Sequence, residues 1–381
     1  FNSAGVDTLD VGVLPSGGIS YLTANGSATM GAIVSASHNH ADDNGIKLLA
    51  ARGAKLPDEV ERELEERMRA SGWLVATGSA IGFRTESREG YARYLDHLAS
   101  AARYSLNGVP IALDCANGSA YKAAPELFER LKADVRVFHA EPNGRNINDG
   151  CGATATDFIA KNAGGRIGLA FDGDADRLIA VDEDGVIANG DVIMAIVARH
   201  LKEQGRLTKD LVVATVMSNL GFRKSMAEAG IEVVETPVGD RYVMEALHER
   251  KGLLGGEQSG HIIFADLAQT GDGLLTAVQL LDVVAGTGKE LRQLRAEAIT
   301  EYPQVLVNVR IDRSVDIGEM DGLWNEVEEV EQELGDEGRV LVRPSGTEPL
   351  VRIMVEAPSQ ELASGYADRL AAVTEAATTR G

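Results

Sequence analysis

Short apolar runs alternate with longer amphipathic segments along almost the whole chain, the pattern of strands in a largely parallel sheet covered by helices. Residues 109–115, 135–139, 166–171 and 178–181 read as strands, with a helix at 120–132. A second cycle follows, with helices at 191–204, 220–229 and 241–250 between strands at 211–215, 231–235 and 253–255. The first stretch carries the same rhythm in strands at 11–14 and 30–35 and an acidic helix at 58–70. The tail departs from it: a strand at 304–311, a helix at 320–334, two alternating strands at 339–343 and 350–356, and a closing helix from Gln360 describe an α+β module. The pattern predicts an α/β protein of three consecutive α/β domains with mixed, largely parallel sheets, plus a C-terminal α+β domain, around a central cleft. Its expected boundaries are 1–103, 104–187, 188–301 and 302–381.

Each expected domain has one apolar strand that runs into a loop of small and polar residues. In open α/β sheets ligands sit beyond the carboxyl ends of the strands, so four such loops can face one cleft. The most informative is 171–177, Phe-Asp-Gly-Asp-Ala-Asp-Arg, with carboxylates at every second position. Three like charges so close repel, and a cation with oxygen ligands is the usual remedy. A solvated acidic turn is the bland alternative. An EF-hand is excluded, because Arg177 stands where that loop needs glycine and the flanks are short strand-like runs. The other three loops are ambiguous singly. Residues 35–39 (Ser-Ala-Ser-His-Asn) can be a plain turn, and the glycines of 255–260 can simply permit a tight one. Residues 343–349 can be a hairpin connection, although their hydroxyls and N–H groups, flanked by Arg343 and Arg352, suit a phosphate. His261 and Lys47 taken alone are most simply a structural histidine and a solvated lysine.

Composition narrows the partners. The chain has 381 residues, 44% hydrophobic and 25% charged, so several cores can form. A formal charge of −21 argues against nucleic acid or an anionic membrane as the main partner. Any phosphate ester must then be held by local arginines and backbone N–H groups. Two cysteines, Cys115 and Cys151, give no disulfide framework and fit a reducing compartment. No apolar run approaches membrane-spanning length, since the stretch at 274–285 is interrupted by Gln279 and Asp282. The chain opens at Phe1, within what reads as a helix leading to Gly5 and without a signal-like segment, so the expectation is that its true start is missing.

Taken together, the loops resemble those of the α-D-phosphohexomutases over essentially the whole chain. The resemblance rests on Ser-Ala-Ser-His-Asn at 35–39 with Asp-Asn-Gly-Ile-Lys at 43–47, Phe-Asp-Gly-Asp-Ala-Asp-Arg at 171–177, Val-Gly-Asp-Arg-Tyr-Val at 238–243, Gly-Gly-Glu-Gln-Ser-Gly-His at 255–261 and Arg-Pro-Ser-Gly-Thr-Glu-Pro at 343–349. Gln258 and the 238–243 segment are similar to the glucosamine branch. That resemblance implies interconversion of glucosamine 6-phosphate and glucosamine 1-phosphate through a sugar 1,6-bisphosphate, feeding UDP-N-acetylglucosamine and bacterial cell-wall precursors. It implies that Ser37 carries a phosphoryl group and joins Asp172, Asp174 and Asp176 on one Mg²⁺. Lys47 and His261 would move protons, Arg177 would offset negative charge, and Glu257 and Ser259 would grip sugar hydroxyls. Arg343, Ser345, Gly346 and Thr347, with Arg352, would bind the phosphate already on the sugar. A cytoplasmic bacterial enzyme, a homodimer in its relatives, is implied, with a phosphosugar as partner and neither nucleic acid nor membrane. The phosphomannomutase/phosphoglucomutase branch, and a non-catalytic phosphosugar-binding protein, stay open as alternatives. The chain departs from the family pattern at His40, which stands in place of a proline, at 152–157, whose role the sequence does not assign, and in the family's amino-terminal strand and glycine-rich loop, which these residues do not contain.

Overall fold

The computed structural model of the protein describes residues 1–69, 72, 75–312, 316–345 and 349–378. They fall into two compact units, Phe1–Met217 with Ala229–Ala298, and Ser218–Glu228 with Ile299–Gly381.

The first unit begins with four short strands, β1 (Thr8–Asp10), β2 (Gly31–Val34), β3 (Ile46–Leu49) and β4 (Arg84–Glu86), and three helices, α1 (Ser16–Asn25), α2 (Asp58–Arg69) and α3 (Glu89–Ser100). These strands form two separate ribbons, β1 parallel to β4 and β2 antiparallel to β3. Leu9 and Val34 are exposed on them, as are Val13, Met30 and Phe83 in the flanking segments. The strand expected at 11–14 is instead a turn. Gly12 takes a left-handed φ of 72° and Pro15 caps α1, which the sequence pattern does not announce. Poor helix formers open α1 because space demands it: a Cβ on Gly17 would run into the Asp272 carboxylate. The helix expected from Phe1 to Gly5 is a single 3₁₀ turn, Asn2–Ala4, closed by Gly5.

The next layer is a five-stranded sheet ordered β6-β5-β7-β8-β9, made by β5 (Pro110–Asp114), β6 (Asp134–Phe138), β7 (Ile167–Phe171), β8 (Leu178–Val181) and β9 (Ile187–Ala188). Its first three strands are parallel and the last two antiparallel, covered by α4 (Ala120–Arg130) and α5 (Asp157–Asn162). Every residue of β7 and β8 is buried, which is why both read as continuous apolar runs without alternation. A third sheet orders β10 (Leu211–Thr215), β11 (Glu232–Thr236), β12 (Leu254–Gly256) and β13 (Ile262–Phe264) as β11-β10-β12-β13, with β13 antiparallel. Around it run α6 (Gly190–Glu203), α8 (Asp240–Arg250), α9 (Gly273–Thr287) and α10 (Leu291–Ala298), while α7 (Leu220–Glu228), between β10 and β11 in the chain, belongs to the second unit. Helix α9 is buried continuously from Gly273 to Val283 and carries no polar face. Its three interior polar residues are satisfied: Thr276 Oγ1 donates to Asp272 O, Gln279 donates to Ala101 O, and Asp282 accepts the Arg103 and Tyr104 N–H groups.

In the second unit β14 (Gln304–Arg310), β15 (Arg339–Pro344) and β16 (Leu350–Glu356) form an antiparallel sheet ordered β14-β16-β15. Helices α11 (Asp321–Leu334) and α12 (Gln360–Thr378) enclose a core that includes Val309, Leu323, Val330, Ile353 and Leu370. Glu356 is wholly buried there, accepting from Arg339 Nε at 2.6 Å and from the Leu220 N–H at 3.0 Å. No helix among the described residues is long and apolar enough to cross a membrane.

Candidate active site

The turn between β7 and β8 presents Asp172, Asp174 and Asp176, all buried, with one oxygen from each within 4.8 Å of the others. Ala175 adopts a left-handed φ of 56°, and its N–H closes the turn on Asp172 O at 3.0 Å. Four neighbouring segments hold this turn by backbone bonds. Ser16 N–H, at the start of α1, donates to Asp174 O, and Ser119 N–H, just before α4, donates to Gly173 O. Gly273 N–H, at the start of α9, donates to Ala175 O, and Leu178 N–H donates to Gly260 O. A rigid loop of small residues can thereby keep three carboxylates together against their repulsion.

The donor set fits a hard cation. It offers oxygen alone, and Asp174 Oδ1 and Asp176 Oδ1 are buried without a hydrogen-bond partner. Burial, with the charges of Asp176 and Asp174, pushes the Asp172 carboxyl well above its ordinary range. For Asp174 burial acts the same way but is outweighed by the charge and hydrogen bond of Lys47 and by hydroxyl donors, which hold it below that range. An added positive charge would draw the Asp172 carboxyl back toward its charged form.

Ser37 stands over this loop on the turn after β2, in a left-handed conformation at φ 54°. Its Oγ donates to Asp172 Oδ2 at 3.1 Å, and its N–H donates to Ser35 Oγ at 2.9 Å. Lys47, opposite Ile33 in the β2–β3 ribbon, reaches the same carboxylates, with Nζ 2.6 Å from Asp174 Oδ2 and 3.4 Å from Asp176 Oδ2. Burial would favour its neutral form, but Asp176 and Asp174 prevail and raise its pKa, so Lys47 is held charged. Two further residues complete the cradle. Ser16 Oγ donates to Asp174 Oδ2 at 2.7 Å. The Asn148 side chain donates to Ser37 O at 2.9 Å and to Asn39 O at 2.8 Å, pinning the serine turn on both sides.

The 257–261 turn joins β12 to β13 and brings His261 to the same place. Its Nε2 lies 3.4 Å from Asp240 Oδ2 and 3.9 Å from Asp176 Oδ2. Gly271 must be glycine, because a Cβ there would meet the His261 ring at 2.5 Å. Asp240 pairs with Lys55. Burial would raise its pKa, but the charges of His261 and Lys55 lower it. Glu257 is fixed by the Gly239 N–H at 3.0 Å, and Ser259 Oγ lies 3.4 Å from its other oxygen. Arg177 donates its N–H to Asp172 Oδ1 at 3.2 Å and directs Nε to 3.9 Å from Asp176 Oδ1. Ser37, Lys47, the three aspartates, Arg177 and His261 are therefore neighbours, with Glu257 and Ser259 on the same turn as His261.

The remaining sequence candidates lie in the second unit. Arg343 and Arg352 face each other across the antiparallel β15–β16 pair, and burial, helped by the Arg352 charge, lowers the Arg343 pKa. Two guanidinium groups so placed favour an anion between them. Ser345 N–H donates to Leu350 O at 2.8 Å. Gly346 and Thr347 lie outside the described residues. A cavity of about 1510 Å³ adjoins the aspartate site, lined by Ser35, Ser37, Asn39 and Asp174 as well as by aliphatic Leu9, Val11, Met30 and Val34.

Comparison with known proteins places the chain in a family. Models described as phosphoglucomutase/phosphomannomutase alpha/beta/alpha domains I, II and III match residues 1–73, 92–185 and 189–302, and the model of the C-terminal domain matches 306–373. The phosphoglucosamine mutase of Leifsonia xyli is 50% identical over 376 residues, 97% of this chain and 82% of that protein. The protein belongs to the phosphohexomutase family. A phosphoglucosamine mutase of Bacillus subtilis is 47% identical over 97% of this chain and 84% of its own length. Among solved structures, a phosphoglucomutase/phosphomannomutase family protein from Burkholderia thailandensis superposes with a TM-score of 0.77 at 22% identity, covering 99% of this chain and 84% of that one. Aspergillus fumigatus N-acetylphosphoglucosamine mutase, in complex with GlcNAc-6P and magnesium, gives 0.74 at 21% identity, covering 94% and 91%. The four-domain phosphohexomutase fold is thus shared.

Within that family frame, Ser16, Lys55 and Asn148 are site-forming residues that the sequence reading did not select. Asp240 lies inside a quoted motif, but its pairing with Lys55 and His261 is visible only in three dimensions.

Proposed function

We propose that the protein interconverts glucosamine 6-phosphate and glucosamine 1-phosphate, with Ser37 as phosphoryl carrier. The observation that carries this reading is Ser37 Oγ, held 3.1 Å from Asp172 in a nest of three buried carboxylates and one charged lysine. A non-catalytic binder has no need of such a hydroxyl. Asp172, Asp174 and Asp176 would hold a Mg²⁺, which supplies charge neutralisation for phosphoryl transfer when bound.

The chain's own residues supply position and proton traffic. Phosphorylated Ser37 passes its phosphoryl group to the free hydroxyl of the sugar monophosphate, giving the 1,6-bisphosphate. The other phosphate then returns to Ser37 Oγ, releasing the isomeric monophosphate. Lys47 and Arg177 offset charge on the transferring group, and Lys47 would pass a proton to the departing serine oxygen. His261 exchanges a proton with the attacking sugar hydroxyl. Glu257 and Ser259 hold the sugar hydroxyls, while Arg343, Ser345, Gly346 and Thr347, with Arg352, take the phosphate that is not reacting. The same reading carries a cytoplasmic bacterial homodimer whose product enters UDP-N-acetylglucosamine synthesis, and it rests on the family relationship.

The test is a coupled assay with Mg²⁺ and a trace of glucose 1,6-bisphosphate, on glucosamine 6-phosphate beside glucose 1-phosphate. Preference for the glucosamine substrate, lost by at least ~10³-fold in Ser37→Ala, is expected. Preference for glucose would reassign the branch, and turnover that survives Ser37→Ala would remove the carrier role.

A further inference from the structure

One side-chain cluster in the second sheet has no part in this chemistry. Asp114 ends β5, His139 follows β6, and Cys151 opens the segment at 151–157. One donor atom from each, a carboxylate oxygen, an imidazole nitrogen and the sulfur, lies within 4.8 Å of the other two. Asp114 and Cys151 have no exposed surface, whereas His139 is partly open to solvent. His139 Nδ1 is 3.0 Å from Asp114 Oδ1, which also accepts the Ala116 N–H at 3.0 Å. The second oxygen, Asp114 Oδ2, is buried with no hydrogen-bond partner. A buried carboxylate oxygen left so carries a desolvation cost that a ligand could recover.

We propose that Asp114, His139 and Cys151 form a second metal site, for a borderline-soft divalent cation of the zinc class. The donor set makes the choice of ion. Magnesium takes oxygen ligands, whereas a mixed oxygen, nitrogen and sulfur set with a thiol suits zinc or cobalt. Zinc–ligand bonds of roughly 2.0–2.3 Å place tetrahedral ligands about 3.3–3.8 Å apart, so the cluster closes around an ion with movements of about one ångström. The Phe158 ring packs against His139 at 4.4 Å and holds the imidazole in place. His139 gives the entry side, and a water can take the fourth position, three protein ligands being enough for such a site. Burial pushes the Cys151 thiol up to about 12, so the ion must displace a proton from sulfur, and binding at neutral pH releases that proton to solvent. Asn148, which holds the Ser37 turn, stands three residues before Cys151, so an ion here would anchor its segment.

The experiment is a cobalt titration of the full chain with the aspartate triad saturated by excess Mg²⁺. The expected result is a thiolate-to-cobalt charge-transfer band in the near ultraviolet, saturating at one ion per chain, displaced by Zn²⁺ and accompanied by proton release. Cobalt on the all-oxygen triad gives no such band. Cys151→Ser should abolish it, and His139→Gln should weaken affinity by at least ~10–100-fold, the range found when even an orienting partner of a ligand is lost. Circular dichroism and Mg²⁺-supported turnover of both variants check that they fold. A parent protein with no sulfur band, or a band that survives Cys151→Ser, overturns the site.

Discussion

Asn148 commits both hydrogens of its side-chain amide to carbonyls on either side of the Ser37 turn, although it lies 111 residues away in the chain. Asn148→Ala should therefore leave substrate binding nearly intact and lower kcat by about 10²-fold, the effect of misplacing a reacting group by an ångström. Steady-state kinetics with KM and kcat separated, beside the extent of Ser37 phosphorylation, check it; equal loss in both parameters would contradict a positioning role. Asp272 offers a different residue-level test. Burial raises its carboxyl to about 6 from 3.8, although it accepts the Tyr94 hydroxyl and the Leu275 N–H. The folded state then binds this proton more tightly than the unfolded chain. Asp272 contributes stability fully below about pH 3.8, and that contribution disappears as the pH rises through about 6. Between pH 4 and pH 8 the stability difference between the parent and Asp272→Asn should move by roughly 2 kcal/mol in favour of the variant, measured by urea unfolding. Of the site, only the aspartate turn was legible from its own residues, whereas the grouping of Ser37, Lys47 and His261 with it came from the family resemblance of their short motifs. Asn148, Ser16 and Lys55 act on partners far along the chain, and an isolated Asn, Ser or Lys leaves no local pattern.

Helix α9 shows how two glycines on one element do different work. At its start, a Cβ on Gly273 would run into Arg177 O and stand 3.0 Å from Ala175 O, so the helix meets the aspartate loop only because nothing is there. Beyond its end, Gly288 has open space around it but a φ of 69°. Gly288→Ala should cost about 1 kcal/mol and leave kinetics alone. Gly273→Ala should lift the helix from the loop and weaken Mg²⁺ binding roughly 10–100-fold, as calorimetry can measure. The same helix explains a gap in the sequence reading. Amphipathic α4, α6, α8 and α11 announce themselves by a polar face, whereas α9 is buried on all sides and its Gln279 and Asp282 are bonded inside. Helix α1 was hidden for the opposite reason: Gly17 and Gly18 lower its helix propensity, and tertiary packing overrides it.

At the scale of the molecule, the succession of α/β layers and the α+β tail could be read from periodicity alone, but not the contacts that join the layers. The ion pair between Lys55 and Asp240 is one such contact, tying the amino-terminal part to the third sheet. Lys55→Met should destabilise the first unit by about 1–3 kcal/mol, less than a fully buried pair because both groups reach solvent. Thermal unfolding of the variant measures this, and no change in Tm would mean that the pair is merely superficial.

The aspartate turn receives its backbone bonds from Ser16, Ser119, Gly260 and Gly273, segments scattered over more than two thirds of the chain. Such a loop acquires its shape only after distant pieces have docked, so its ion-binding geometry is late on the folding route. An ion that recognises only the finished loop cannot lower the barrier to forming it. Mg²⁺ should consequently leave the refolding rate unchanged while slowing unfolding, and chelation should show itself as a shorter lifetime of the native state.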